Sequence, residues 1–336
     1  MKKIMILMSL MVALSSTAAM AAIEIRLSHS GPTPIAGATN DEGARAFKEY
    51  VERESQGEIL VTIFPNNQLG NEREQIEGVQ WGTIHVCSIS TGVLSAFDPQ
   101  MLALDIPYLF SSKAVAHKFL DGPMGDRLRQ DFSERTNTVM LAFGENGFRH
   151  FTNSRRPIKT PADMQGLVMR TQENPAHIAM MNSMGAIPVP IPFGELYTAL
   201  SQGVADGQEN PLTLIEASRL HEVQRYITIS MHFYSPFVLI MNADLYNRLT
   251  PEQQKIVHGG ARAWSARQRE FNAADELRSI RYIQEHGVEI HELDAEQFDA
   301  FRRITREGAM PLIKAETSEE FIAEVLAAVL AAENKD

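Results

Sequence analysis

Residues 58–90 read EILVTIFPNNQLGNEREQIEGVQWGTIHVCSIS, and this stretch decides the fold class. Glu58 to Phe64 is a β-branched run closed by Pro65-Asn66-Asn67, which predicts a strand ended by a turn. A helix is expected from about Glu72 to Trp81, stopped by Gly82. Thr83 to Ser90 is mostly apolar, as a strand inside a sheet is. Upstream, Ile23, Ile25 and Leu27 alternate with polar residues up to Gly31-Pro32-Thr33-Pro34, and Ala44, Phe47, Lys48 and Val51 lie at helical spacing ahead of Gly57. Strand alternating with helix at this pitch marks an α/β domain with a largely parallel sheet. Ligands in such folds bind beyond the carboxyl ends of strands, which makes pocket loops of His29 with Ser30 and of Ser90 with Thr91.

The same logic restarts near Phe148. Thr160-Pro161-Ala162-Asp163 opens a short helix that ends at Gly166, and Leu167 to Arg170 is a brief apolar strand running into an arginine. Asn174-Pro175 starts another helix, with Ile178, Met181 and Met184 as a core stripe. Pro188, Pro190 and Pro192 punctuate the next stretch, Leu196, Ala199 and Leu200 form a helix closed by Gly203, and Ala205 to Asn210 reads as a strand and its edge. From Thr250-Pro251 to about Glu285 the pattern is helical throughout. An unbroken helix of that length would be roughly 50 Å long and would span two domains, whereas Gly259-Gly260 offers a place to break.

The chain has 336 residues, 31 Lys+Arg against 42 Asp+Glu, and one Cys. That length suits two domains. A net charge of −11 with no basic, aromatic-interleaved stripe argues against a nucleic-acid partner. Outside the first twenty residues nothing approaches the roughly 18 to 20 apolar residues of a membrane span. Lys2-Lys3, the apolar run Ile4 to Leu14 and Ala19-Met20-Ala21 read as an export signal cleaved after Ala21. Its removal takes two lysines and no acids, which moves the charge from −11 to −13. A lone Cys cannot form an internal disulfide in an oxidising compartment, and Cys87, within Ile84 to Ile89, is expected to be a buried small hydrophobe.

Metal, nucleotide and acyl-transfer motifs are absent: no His-Glu-x-x-His, Cys-x-x-Cys, Gly-x-Ser-x-Gly, Walker or Gly-x-Gly-x-x-Gly signature occurs where it should. No metal and no cofactor is therefore expected, and the balance moves toward a binding protein. Arg149 and Arg170 each end an apolar or aromatic segment, where a strand would deliver the side chain into a crevice. By itself an arginine so placed is most often a salt-bridge partner.

The surrounding pattern is more specific. Residues 147–170, GFRHFTNSRRPIKTPADMQGLVMR, followed by ADGQENP at 205–211, resemble the signature region of TRAP transporter solute-binding proteins of the DctP family. NQLG at 67–70 and DIPYLF at 105–110 agree, and the resemblance covers nearly the whole mature chain. It implies an α/β, two-lobed periplasmic-binding-protein fold, with a mixed sheet in each lobe, crossing hinge strands and a long lobe-spanning helix. The lobes are expected at 22–146 plus about 236–275, and at 147–235 plus about 276–336. The implied function is a monomeric periplasmic receptor that closes on a small organic acid and hands it to the small and large subunits of an ion-coupled membrane permease. The resemblance places the carboxylate-binding arginine at Arg170, an auxiliary arginine at Arg149 and a ligand-contacting asparagine at Asn210, and makes Glu209 a hinge or salt-bridge residue. A planar guanidinium suits a carboxylate better than an ammonium does.

Two departures bear on the ligand. Arg170 is followed here by Thr171-Gln172-Glu173-Asn174-Pro175, more polar than in many relatives, so Gln172 is expected to add a hydrogen bond and Thr171 joins the candidate site. The position that is acidic in the family's sialic-acid receptors is Ser90 here, which weighs against a sugar acid held through that acid. Phe110, Phe148, Phe193, Tyr234 and Phe237 fall near pocket loops, and one or two are expected to line a site for an apolar, aromatic or hydroxylated tail. His29 and His232 are as readily satisfied structural histidines as ligand contacts. The competing readings are an exported enzyme acting on an organic acid, and a receptor for an ABC importer or a sensor kinase.

Overall fold

The computed structural model describes residues 22–33 and 38–334. The export signal and its cleavage position lie outside the described residues. The first ninety residues form β1 (Ile23–His29), α1 (Thr39–Glu54), β2 (Ile59–Phe64), α2 (Glu72–Trp81) and β3 (Val86–Ser90). Then come α3 (Lys113–Leu120), α4 (Pro123–Thr136), β4 (Thr138–Phe143), β5 (Gly147–Asn153), β6 (Val168–Thr171), α5 (Pro175–Ser183) and β7 (Ile187–Pro190). The chain continues through α6 (Leu196–Ser201), β8 (Gly207–Asn210), α7 (Leu212–Ala217), β9 (Tyr226–Ser235) and β10 (Phe237–Asn242). It closes with α8 (Ala243–Arg248), α9 (Pro251–Glu285), β11 (Glu289–Glu292), α10 (Ala295–Glu316) and α11 (Glu319–Glu333).

The strands make two mixed sheets, ordered β2-β1-β3-β10-β4 and β11-β9-β5-β8-β6-β7. β1 pairs in parallel with β2 and β3, as the alternating pattern predicts. β10 arrives from far along the chain and lies antiparallel between β3 and β4, so the sheet is parallel only in part. In the second sheet β7 takes the edge, where Pro188 and Pro190 cost no ladder hydrogen bond on the open side. Cys87 is fully buried, and burial pushes its thiol pKa up, which keeps it protonated and inert.

The chain crosses between the sheets twice, from β4 to β5 through residues 144–146 and from β9 to β10 through Pro236. One face of α9 follows the first of these crossings. Ser265 donates to the Phe143 carbonyl at 2.6 Å, Gln268 accepts from the Glu145 N–H at 3.0 Å, and Asn272 donates to the Asn146 carbonyl at 2.9 Å. α9 is continuous over 35 residues. Gly259 and Gly260 do not break it because they are where α1 packs: a Cβ on Gly259 would lie 2.4 Å from the Tyr50 ring, and one on Gly260 would lie 2.6 Å from Val51. The pair is conformationally permissive but here provides close approach between helices. α11 reaches back across the molecule, with Glu324 paired to Arg127 on α4 and Phe321 under the same guanidinium. Among the described residues no helix is long and apolar enough to cross a membrane.

Candidate functional site

Between the two sheets lies a narrow cavity of about 20 Å³. The second sheet and its loops contribute Arg149, Arg170, Gln172, Phe193 and Asn210. The first contributes Ser30, Glu72 and Ser90, with Asn146 from a crossing segment and Phe237 from β10. A second narrow chamber, also of about 20 Å³, shares Glu72, Arg170, Gln172 and Phe193 and extends outward past Arg73 and Glu173. Arg73 and Glu173 approach to 3.9 Å, and Arg73 also pairs with Glu77 at 3.3 Å.

Arg170 is the third residue of β6 and only 2% exposed. Its Nε donates to the Ile191 carbonyl at 2.8 Å, while Nη1 is buried and has no partner among the described residues. Burial pushes its pKa down to about 10, against the pull of the Glu209 charge. A buried cation with an open guanidinium edge is what an incoming carboxylate can satisfy through two parallel hydrogen bonds.

Arg149, by contrast, arrives already paired. It is bonded through Nε to Glu209, its Nη2 reaches Glu209 Oε1 at 2.8 Å and the Glu209 carbonyl at 2.6 Å, and both residues are buried. A register shift in the β5–β9 pairing between Arg149 and Phe151 bulges β9 and brings His232 to 3.3 Å from Glu209 Oε2. Ser230 and a stacked Phe151 hold the imidazole from its other sides. Burial alone would raise the Glu209 carboxyl, but the charge and hydrogen bonds of Arg149, with those of His232, hold it well below the usual range. His232 is pushed down to about 4 by burial, against Glu209, and His150 to about 3 by burial beside His232, Lys113 and Arg149.

These shifts share one sign. Both histidines are neutral in the fold and titrate near 6.5 once unfolded, so the unfolded chain takes up protons first and stability falls as pH drops from about 6.5 toward 4. The Glu209 contribution is present above its unfolded value and is lost on further acidification. Thermal unfolding between pH 8 and 4 should show a plateau above pH 7 and a steepening fall below 6.5. A midpoint constant down to pH 4.5 would contradict the buried neutral histidines.

The remaining positions divide. Asn210 lines the cavity and donates to Gln208 at 2.6 Å, and Gln172 lines it with its amide oxygen 3.5 Å from Ser90 Oγ. Thr91 turns to the crossing segment, its hydroxyl 3.3 Å from the Pro236 carbonyl. Thr171, His29 and Tyr234 are also absent from the cavity wall. Successive strand side chains face opposite ways, so Arg170 reaches the cavity and Thr171 does not. His29 is buried with Nε2 3.4 Å from Asp41, and Tyr234 donates to Glu145 at 2.7 Å between Phe110 and Phe148. Of the five aromatics, Phe193 and Phe237 line the cavity.

Glu72 was not legible as a site residue. It follows the N-cap Asn71 and looks like an ordinary first-turn acid. Asn71 and Glu74 form the capping box, which leaves the Glu72 side chain to turn inward, where Ser30 Oγ donates to Oε1 at 3.0 Å and the Ser90 N–H at 3.1 Å. A carboxylate from α2 is thus held on the backbone of Ser90 itself. Among the described residues no group of three or more His, Cys, Asp or Glu could hold a metal ion.

Two sheets joined by two crossing strands, with an open buried guanidinium between them, define a binding protein for an anionic solute. The chain belongs to the bacterial extracellular solute-binding protein family 7, DctP, whose model matches residues 33–310, and is a TRAP periplasmic solute-binding protein. It is a binding protein and not an enzyme. It is 38% identical over 256 residues to the 2,3-diketo-L-gulonate-binding periplasmic protein YiaO of Escherichia coli, covering 76% of this chain and 78% of YiaO. It is 32% identical over 332 residues to the C4-dicarboxylate-binding periplasmic protein DctP of Rhodobacter capsulatus, covering 96% and 95%. The crystal structure of a TRAP periplasmic solute-binding protein from Polaromonas sp. JS666 bound to D-erythronate superposes with a TM-score of 0.86 at 34% identity, over 91% of this chain and 98% of that one.

Proposed function

We propose that the protein captures a hydroxylated monocarboxylic acid in the periplasm and delivers it to the small and large subunits of a TRAP permease for ion-coupled uptake. The observation that carries this reading is the open guanidinium edge of Arg170 in a cavity whose other walls are mostly polar. Arg170 anchors the carboxylate, and Arg149, Asn210, Gln172 and Ser90 bound the site around it. Glu72 joins them as an acceptor for ligand hydroxyls. Polar lining favours a hydroxylated tail over an apolar or aromatic one, with Phe193, Leu214 and Phe237 as the apolar exceptions. The diketogulonate, D-erythronate and C4-dicarboxylate of the relatives' names support an organic acid of a few carbons.

In this reading the mature receptor begins after Ala21, works as a monomer and has lobes at 22–146 plus about 236–275 and at 147–235 plus about 276–336. The two crossings flex along α9 as the lobes close on the ligand. Closure brings Gly194 against Asn67, where a Cβ would lie 2.8 Å from Asn67 Nδ2. Gly194→Leu should therefore hold the lobes apart and raise Kd about tenfold or more with little change in the ligand-free melting temperature. Unaltered affinity in that variant would remove this contact from the closure mechanism.

The functional test is native mass spectrometry of mature protein purified without added ligand, combined with a thermal-shift screen of mono-, di-, sugar and aromatic acids. A ligand that binds only the folded state raises the midpoint in proportion to the logarithm of its concentration. A co-purified hydroxy acid, or a selective concentration-dependent shift, is the expected result. No shift with any acid would overturn the proposal.

A further inference from the structure

We infer that Glu72 sets the charge selectivity of the site, admitting acids with one carboxylate and excluding those with two. The inference rests on the organic-acid reading above and adds what the far part of the ligand must be. The charges around the cavity are nearly spent before a ligand arrives. Arg149 is neutralised by Glu209, with which it shares hydrogen bonds from both Nε and Nη2. Arg170 has a buried Nη1 with no partner among the described residues, an opening that suits one carboxylate. Glu72 stands on the wall contributed by the first sheet and α2, and borders both chambers. Its hydrogen-bond partners are a hydroxyl and a backbone N–H, both on Oε1, and neither carries a charge.

A ligand hydroxyl placed there can donate to the carboxylate, whereas a second ligand carboxylate would set two anions side by side in a desolvated space. Burial already pushes the Glu72 carboxyl up, so a further negative charge beside it enters only with a proton. The outer chamber gives no escape. Its one cation beyond Arg170 is Arg73, which stands between Glu77 and Glu173, and a carboxylate extended toward it meets the Glu173 charge as well. Sequence alone does not carry this selectivity, because the filter depends on the α2 N-terminus folding its first acid inward beneath the end of β3.

Matched pairs test it. D-Erythronate and meso-tartrate share a four-carbon skeleton and differ in whether the last carbon is a hydroxymethyl or a carboxylate; D-galactonate and galactarate repeat the comparison at six carbons. Calorimetric titration of the mature wild-type protein should show the monoacid of at least one pair bound about 100-fold or more tighter than its diacid. In Glu72→Gln, which keeps the shape and removes the charge, that ratio should shrink at least tenfold, through weaker monoacid and stronger diacid binding. The ligand-free melting temperature of this variant should match or exceed wild type, which shows that folding is intact. Equal wild-type affinity within the pairs, or a ratio unchanged in Glu72→Gln, overturns this inference while leaving the organic-acid receptor standing. Wild-type binding of neither monoacids nor diacids overturns both.

Discussion

Arg170→Ala should lower affinity for D-erythronate, or for the hydroxy acid that the thermal-shift screen selects, by roughly 30- to 3000-fold. Truncating one partner of a buried, hydrogen-bonded charge pair costs about 2–5 kcal/mol, and each 1.4 kcal/mol is tenfold in Kd. The upper part of that range is expected because the other nearby arginine cannot substitute: Arg149 is committed to Glu209. Ligand-free stability should hold or rise, since Arg170 is a buried cation whose Nη1 is unsatisfied without ligand. Arg170→Lys keeps the charge but loses the planar fork, and should fall between wild type and Ala. Titration calorimetry on the three proteins measures this ordering. A Kd for Arg170→Ala within threefold of wild type would place the carboxylate elsewhere.

The second large effect is on stability. Glu209→Ala strands Arg149 as an unpaired buried charge and removes the acceptor that orients His232, a change that costs about 3–5 kcal/mol in comparable buried pairs. At about 2–4 °C per kcal/mol for chains of 150–250 residues, a fall in melting temperature on the order of 10 °C is expected. The double variant Arg149→Met with Glu209→Leu should recover much of that loss, because apolar replacement of both partners removes the desolvation penalty along with the attraction. The pair would then be retained for the site it shapes rather than for stability. Differential scanning calorimetry distinguishes the cases, and a melting temperature for Glu209→Ala within 1 °C of wild type would show that Arg149 finds other compensation.

Much of the architecture follows from local pattern. The turn and helix-stop signals at Pro65-Asn66-Asn67 and Gly82 fall where the structure ends β2 and α2, and Thr160-Pro161 and Asn174-Pro175 open helical turns as their capping chemistry predicts. These features are decided by a few neighbouring residues, so a linear reading reaches them. Gly259-Gly260 shows where that reading stops. By propensity the pair weakens α9, and only the presence of Tyr50 and Val51 on α1 turns the absence of two side chains into a packing surface. The parallel character read from β1 to β3 likewise could not foresee β10, which joins the sheet from about 150 residues away.

For the site, residue chemistry together with the motif at 147–170 was enough to single out Arg170, Arg149, Asn210, Gln172 and Ser90, all of which the fold brings to one cavity. Thr171 faces away from the cavity that its neighbour Arg170 lines, since a strand sends neighbouring side chains to opposite sides, while His29 and Tyr234 are engaged with Asp41 and Glu145. Which charges are free was settled only in three dimensions. Arg149 and Arg170 look alike in the chain, yet one is neutralised by Glu209 and the other is left open; Glu72 looks like a helix-start acid, yet it reaches the backbone of Ser90. The sequence by itself determined many of the elements and the family, because these depend on residue type and spacing. The tertiary structure decided the charge balance of the cavity, because electrostatic interaction depends on distance and burial between residues that the chain holds far apart.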